Sequence, residues 1–282
     1  MQNILVPVDF SKDSMNALDH GIYLANIFNL SLRIIHVRKD KNYDLPFVLK
    51  DKDKDKEYTK TTEEFCEEIV KKHKSKYKGG GDFDYVIRTG RIYKGITEQA
   101  EKDGSLMIVM GTHGISGFEE FWLGSNAYRV VCKAPCPVMT IRYGFRKKKI
   151  TKIVLPIDAR QDTRVKVPFT CELATVLEAE VHVIDVRETN ARDVISRLNK
   201  YADQSAEYLE KRGVKTVRDS YKGSNVADLT IAYAVHVGAE LISMVSNHRG
   251  NPLRMYLSSE AQEMVNHSPI PVLSIHPSYA KF

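Results

Sequence analysis

Two clusters of small and polar residues in the first half of this chain have the types and spacing to hold an anion. Gly111 and Gly114 follow the apolar run Leu106-Met-Ile-Val-Met110, and Gly124, Ser125 and Asn126 come after a further stretch from Ile115 to Leu123. Glycines let a backbone approach a ligand closely. A Gly-Ser pair at the start of a helix presents free N–H groups, a hydroxyl and the positive end of the helix dipole. Together they suit a phosphate. A third candidate, Asp9, leaves the apolar run Ile4 to Val8. Such a carboxylate can be satisfied by a ligand or by capping the helix that follows Ser11. His113 lies between the two glycines with no visible carboxylate to orient it, so it reads as a loop-bracing side chain and not as a catalytic base. Phe118 and Trp122 read as packing residues.

Positioning these residues requires strands that end on them. Ile4–Val8, Leu32–Val37, Asp84–Thr89, Leu106–Met110 and Val138–Ile141 have the short apolar runs of buried parallel strands. Helices are predicted between them. One follows Ser11 with Met15, Leu18, Ile22 and Ala25 on a face, a polar one runs from about Tyr58 to Ser75, and a third carries Ile92, Ile96 and Ala100. The fourth starts at Gly124-Ser125, with Leu123, Ala127, Val130, Val131 and Ala134 at helical spacing. Lys39 to Lys56 carries charges too dense to bury and reads mainly as an exposed loop, with Leu45-Pro-Phe-Val-Leu49 as a contact within it. Strand and helix alternate, which predicts an α/β fold with an open parallel sheet and helices on both faces.

The spacing Gly-x2-Gly-x9-Gly-Ser, with Ile4-Leu-Val-Pro-Val-Asp-Phe-Ser11 before it and Lys133-Ala-Pro-Cys-Pro-Val-Met-Thr-Ile-Arg142 after it, resembles the nucleotide-binding signature of the universal stress protein family. The resemblance implies a Rossmann-like sheet of order 3-2-1-4-5, whose switch point lies between strands 1 and 4 and sets Asp9 opposite Gly111. It also implies site roles. Asp9 would hydrogen-bond a ribose, and Val37 would read the adenine edge with its backbone. Gly111, Gly114, Gly124, Ser125 and Asn126 would surround the phosphates, with Pro7, Val8 and Met110 completing the set. The implied ligand is ATP, or ADP or AMP, accompanied by magnesium. Each role has a plainer counterpart, since Val37 would be buried in a strand anyway and the glycines could mark turns.

The pattern then starts again. Ile153-Val-Leu-Pro-Ile-Asp158 repeats Ile4 to Asp9, Val181 to Val186 answers Leu32 to Val37, and Ser268 to Ile275 answers Ala134 to Ile141. Two tandem domains are expected, over 1–143 and 150–282, joined by Tyr143 to Lys149. The second has a long helix from roughly Ala191 to Arg212 and another with Ala227, Ile231, Ala234 and Val235 on one face. Its signature glycines are gone. Ser246, Arg249 and Ser258-Ser259 stand for Gly111, Gly114 and Gly124-Ser125, with one residue fewer between the last two. The second half thus reads as a degenerate scaffold in which Asp158 remains, with a different anionic ligand as the lesser alternative. His36 and His182 occupy corresponding strands and read as structural. The last strands, Val138–Ile141 and Val272–Ile275, would be apolar edges unless they pair. In single-domain relatives these edges pair between subunits, so here the two copies are expected to form an intrachain pseudo-dimer, with a homodimer also open.

Composition narrows the function classes. The 282 residues carry 42 basic and 36 acidic side chains, a net +6 dispersed in lysine-rich turns, which fits a solvated surface better than nucleic-acid binding. No apolar run is long enough for a membrane span, and Met1-Gln2 leads directly into a strand, so a cytoplasmic protein is expected. Cys66, Cys132, Cys136 and Cys171 lack zinc spacing and read as reduced structural thiols. The leading expectation is a nucleotide-binding regulatory protein. The alternatives are a slow ATP-hydrolysing enzyme and a nucleotide-free interaction scaffold. Catalysis is disfavoured because Val8 to Lys12 shows neither a His-x-Gly-His nor a Ser-Gly-Gly motif, and no Gly-Lys-Ser places a lysine on a γ-phosphate.

Overall fold

A computed structural model describes residues 2–39, 52–112, 123–246 and 256–279. Ten strands form one sheet in the order β3-β2-β1-β4-β5-β10-β9-β6-β7-β8. In the first half these are β1 (Asn3–Pro7), β2 (Ser31–Arg38), β3 (Phe83–Thr89), β4 (Met107–Gly111) and β5 (Val138–Ile141). In the second they are β6 (Lys152–Ile157), β7 (Glu180–Arg187), β8 (Thr216–Lys222), β9 (Leu241–Val245) and β10 (Val272–Ile275). Each half is a parallel sheet of order 3-2-1-4-5. Strands β1, β4, β6 and β9 lie between neighbours and under helices, and Ile4, Leu5, Val6, Ile108, Val109, Ile153, Val154, Leu241 and Ile242 are wholly buried.

The seam is the only antiparallel pair among these strands, with Thr140 facing Val272, Met139 facing Leu273 and Val138 facing Ser274. Two strands that would otherwise leave unpaired N–H and C=O groups thus satisfy each other within the chain. The connection between β5 and β6 is fastened along its length. Asn16 Nδ2 donates to the Phe145 carbonyl at 3.2 Å, Lys148 pairs with Asp19 at 3.4 Å, and the Thr151 N–H donates to Glu240 at 2.9 Å.

Helix α1 (Lys12–Phe28) begins at Ser11, whose hydroxyl accepts from the Ser14 N–H, and ends at Asn29 in the left-handed region, φ 54°. Helix α2 (Lys52–His73) starts earlier than the predicted Tyr58, so Lys52 to Lys56 belongs to a helix and not to a loop. Dense charge opposes burial without opposing helicity, so the two expectations are separable. Leu45 to Leu49 lies outside the described residues. Helices α3 (Ile92–Asp103) and α4 (Ser125–Lys133) complete the first half.

In the second half, a 3-10 turn over Gln161–Val165 leads into α5 (Lys166–Leu177), followed by α6 (Arg192–Glu210), α7 (Val226–His236) and α8 (Ser259–His267). The buried face of α7 is Ala227, Thr230, Tyr233 and Ala234, whereas Val235 is 53% exposed, which corrects the predicted apolar face. Tyr233 takes the inner position because its hydroxyl meets His182 Nδ1 at 2.7 Å. All four cysteines are buried, and burial together with the charge of Glu63 raises Cys66 to about 11.

Candidate functional site

Where the strand order reverses, between the carboxyl ends of β1 and β4, the first half opens a crevice of about 480 Å³. That size suits a small-molecule site. Pro7, Val8, Asp9, Val37, Met110, Gly111, Gly124, Ser125 and Asn126 all line it. Gly114, His113, Phe118 and Trp122 lie outside the described residues.

One wall is a braced turn. Asp9 Oδ1 accepts from the Ser11 N–H at 3.1 Å and from the Ser11 hydroxyl at 2.6 Å, so this oxygen is committed to the turn that starts α1. Asp9 therefore does not cap α1 itself, which Ser11 does, but one of its oxygens holds the capping residue while the carboxylate stays on the crevice wall. Phe10 follows with φ at 66°, uncommon for an aromatic residue, and its ring stacks on His36 at 4.7 Å. His36 Nδ1 lies 2.7 Å from the Val8 carbonyl, to which it donates. Burial lowers the His36 pKa, so the imidazole is held neutral in a bracing role.

The other wall joins the two glycine clusters. The Gly124 N–H donates to the Thr112 carbonyl at 2.9 Å, which sets the start of α4 directly beside the end of β4. Gly124 is the N-cap, with φ −55° and ψ 142°, and no side chain caps the helix. The first turn of α4 therefore offers its positive end to the crevice among the described residues. Gly111 has a different reason to be glycine. A Cβ there would lie 3.0 Å from the Asp13 carbonyl carbon and from Asp13 Cβ, so its bareness lets α1 close on β4. The loop before α4 is also held from outside, because the Leu123 N–H donates to Asn266 Oδ1 of α8 at 2.9 Å.

Crevice residues that sequence reasoning passed over include Ile92, Ile96 and His36. Ile92 and Ile96 carry an ordinary amphipathic pattern, and nothing in that pattern distinguishes a core position from one at a helix mouth. The close seat of α3 against Val37 is legible only in space. A Cβ on Gly95 would come within 3.0 Å of both Val37 methyls.

The second half has a corresponding crevice of about 360 Å³. Its register corrects the residue correspondence drawn from the sequence. Ile4 pairs with Met107 and Ile153 with Leu241, while Gly111 pairs with Ile141 and Val245 with Ile275. Val245 therefore stands for Gly111, and Ser246 stands for Thr112. The bond from the Ser258 N–H to the Ser246 carbonyl, at 3.1 Å, repeats the one from Gly124 to Thr112. The two loops then have equal length, and the missing residue disappears. Strand pairing fixes the register, which the sequence between the strands does not show.

At the mouth of α8 the difference is chemical. Ser258 accepts the Ala261 N–H at 3.1 Å, and Glu260 stands in the first turn. Asp158 is paired with Arg160, whose guanidinium outweighs burial and holds the carboxyl below its usual range. The second crevice thus caps its own helix where the first leaves the helix open.

The universal stress protein family model matches residues 1–142 and, again, residues 149–276. A universal stress protein of Methanocaldococcus jannaschii is 32% identical over 143 residues, spanning 50% of this chain and 82% of its own. The universal stress protein YxiE of Bacillus subtilis is 28% identical over 151 residues, covering 49% of this chain and 97% of its own. A universal stress protein structure from Archaeoglobus fulgidus, 20% identical, aligns over 97% of this chain and 96% of its own with a TM-score of 0.73, which shows the same fold at full length.

Proposed function

Because this chain belongs to the universal stress protein family in both of its halves, we propose that it is a regulatory protein whose N-terminal crevice binds an adenine nucleotide. The observation that carries the reading is the start of α4, whose N-cap is a glycine without a side chain, set by the Gly124–Thr112 bond at the carboxyl edge of β4. A helix start with a glycine N-cap at the switch point of a parallel sheet is a place for phosphate oxygens. Ser125 and Asn126 would supply donors to them, Asp9 would hold the ribose, and the backbone at Val37 would meet the adenine between β2 and the start of α3. Gly114 would approach the phosphates if the family's role for it carries over.

Magnesium would have few protein ligands. Asp9 is the one carboxylate among the described residues lining the crevice, and no group of three His, Cys, Asp or Glu side chains suited to a metal occurs among the described residues. A magnesium ion accompanying ATP would therefore take its ligands chiefly from phosphate and water. The reading is one of binding, with nucleotide occupancy as the signal and the second half as a fixed partner. Four buried cysteines suit a cytoplasmic setting, and no described helix is long and apolar enough to cross a membrane.

Mass spectrometry of nucleotide released from the purified protein, followed by ATP titration calorimetry with and without magnesium, tests this. One adenine nucleotide per chain is expected. Neither co-purified nucleotide nor binding of added ATP would overturn the reading.

A further inference from the structure

The crevice of the second half is as large as a small-ligand site requires, yet its chemistry is not that of the first. A polyphosphate meets two obstacles there: Ser258 already takes an N–H of the first turn of α8, and Glu260 adds a negative charge beside it. The inner wall is apolar, built from Val186, Val194, Ile195, Leu198, Met244 and Met264.

Beside this wall a buried lysine joins Arg160 and Arg187 in the lining. Lys166 is 4% exposed and lines the crevice. The carboxylate that acts on it is Asp158, which is also paired with Arg160. Lys166 is the first residue of α5, an end where a helix dipole disfavours a cation. Eight residues after Asp9 the first half has Ala17, wholly buried, whereas eight residues after Asp158 the second half has this lysine. An alanine would serve packing there at no electrostatic cost. A buried ammonium is costly unless an anion joins it.

We propose that the C-terminal crevice is a second ligand site, specific for an amphipathic monoanion: an aliphatic carboxylate whose head meets Lys166 Nζ and whose chain lies along the apolar wall. The site is independent of the nucleotide reading of the first half. It explains why the second copy keeps an open crevice after losing the signature glycines.

Octanoate is a suitable probe, titrated calorimetrically into the full-length protein, with octanamide as the uncharged control and ATP as competitor. One octanoate per chain is expected, with octanamide and the Lys166→Met protein each weaker by about tenfold or more and ATP failing to displace it. Lys166→Met replaces a buried charge by an apolar chain of similar length, so a melting curve should show it folded. If that variant does not fold, the octanamide comparison on the unmutated protein carries the test. Absence of octanoate binding at millimolar concentration would overturn the proposal. So would equal binding of octanoate and octanamide, or one-for-one displacement by ATP.

Discussion

Glycines that look alike in the sequence do different work, and substitution separates them. Gly124 has backbone angles open to any residue, so Gly124→Val should fold normally and lose ATP affinity by about tenfold or more, because its branched side chain crowds the α4 mouth. Unchanged affinity in titration calorimetry would place the ligand elsewhere. Gly111→Ala should instead act on stability, costing roughly 1–3 kcal/mol in urea denaturation, since its Cβ meets the Asp13 backbone at 3.0 Å. Lys166 offers a pH signature. Burial lowers it from 10.5 to about 8, with Asp158 opposing and Arg160 adding to the shift. Between those values the unfolded chain binds the extra proton, so this residue makes stability rise with pH across that window. The penalty is fully present below about 8. Lys166→Met should therefore be more stable than the unmutated protein at neutral pH, by up to roughly 3 kcal/mol, and the advantage should vanish near pH 10.5. Taking the difference between the two proteins cancels the tyrosines and cysteines that titrate nearby. A constant difference across the window would refute the assignment.

Two short helices reach across the seam and hold each other's loops. Asn266 of α8 accepts the Leu123 N–H at 2.9 Å, and the Tyr128 hydroxyl of α4 accepts the Leu257 N–H at 3.3 Å. Each bond fixes the residue immediately before a helix N-cap, so each half braces the crevice mouth of the other. Asn266→Ala should leave the Leu123 N–H without its partner and weaken ATP binding by about threefold to tenfold, without touching any nucleotide-lining residue. A calorimetric titration in which this variant binds as tightly as the unmutated protein would show the brace to be dispensable. The polar start of α2 belongs to the same scale. There a charge pattern that ruled out burial was also read as ruling out helix, although only the first follows from desolvation cost.

The antiparallel seam turns two five-stranded sheets into one of ten strands. It gives the second copy a reason to persist even where it has lost the phosphate signature, since without it β5 is an apolar edge. Residues 1–149 produced alone should therefore dimerise through Val138–Ile141, and light scattering coupled to gel filtration checks this. A stable monomer would mean that the first half protects its edge in another way.

Much of this organisation was written in local pattern. Apolar runs of strand length, the alternation with amphipathic helices and the repeat of Ile4–Asp9 at Ile153–Asp158 determined two parallel sheets, because burial on both faces leaves such a pattern few alternatives, while the strand order followed from the family resemblance. Asp9, Gly111, Gly124 and Ser125 were likewise legible, as they sit at strand ends and a helix start, whereas Ile92 and Ile96 were not. Tertiary structure decided what depends on distance between remote segments. It set the correspondence of Val245 with Gly111, which rests on strand pairing, and it revealed Asp13 as the neighbour that makes Gly111 glycine. It also placed Lys166 inside a cavity. A lysine beside Val165 and Val167 reads as exposed in any window of sequence, and only the packing of the second half around its crevice makes it a buried charge.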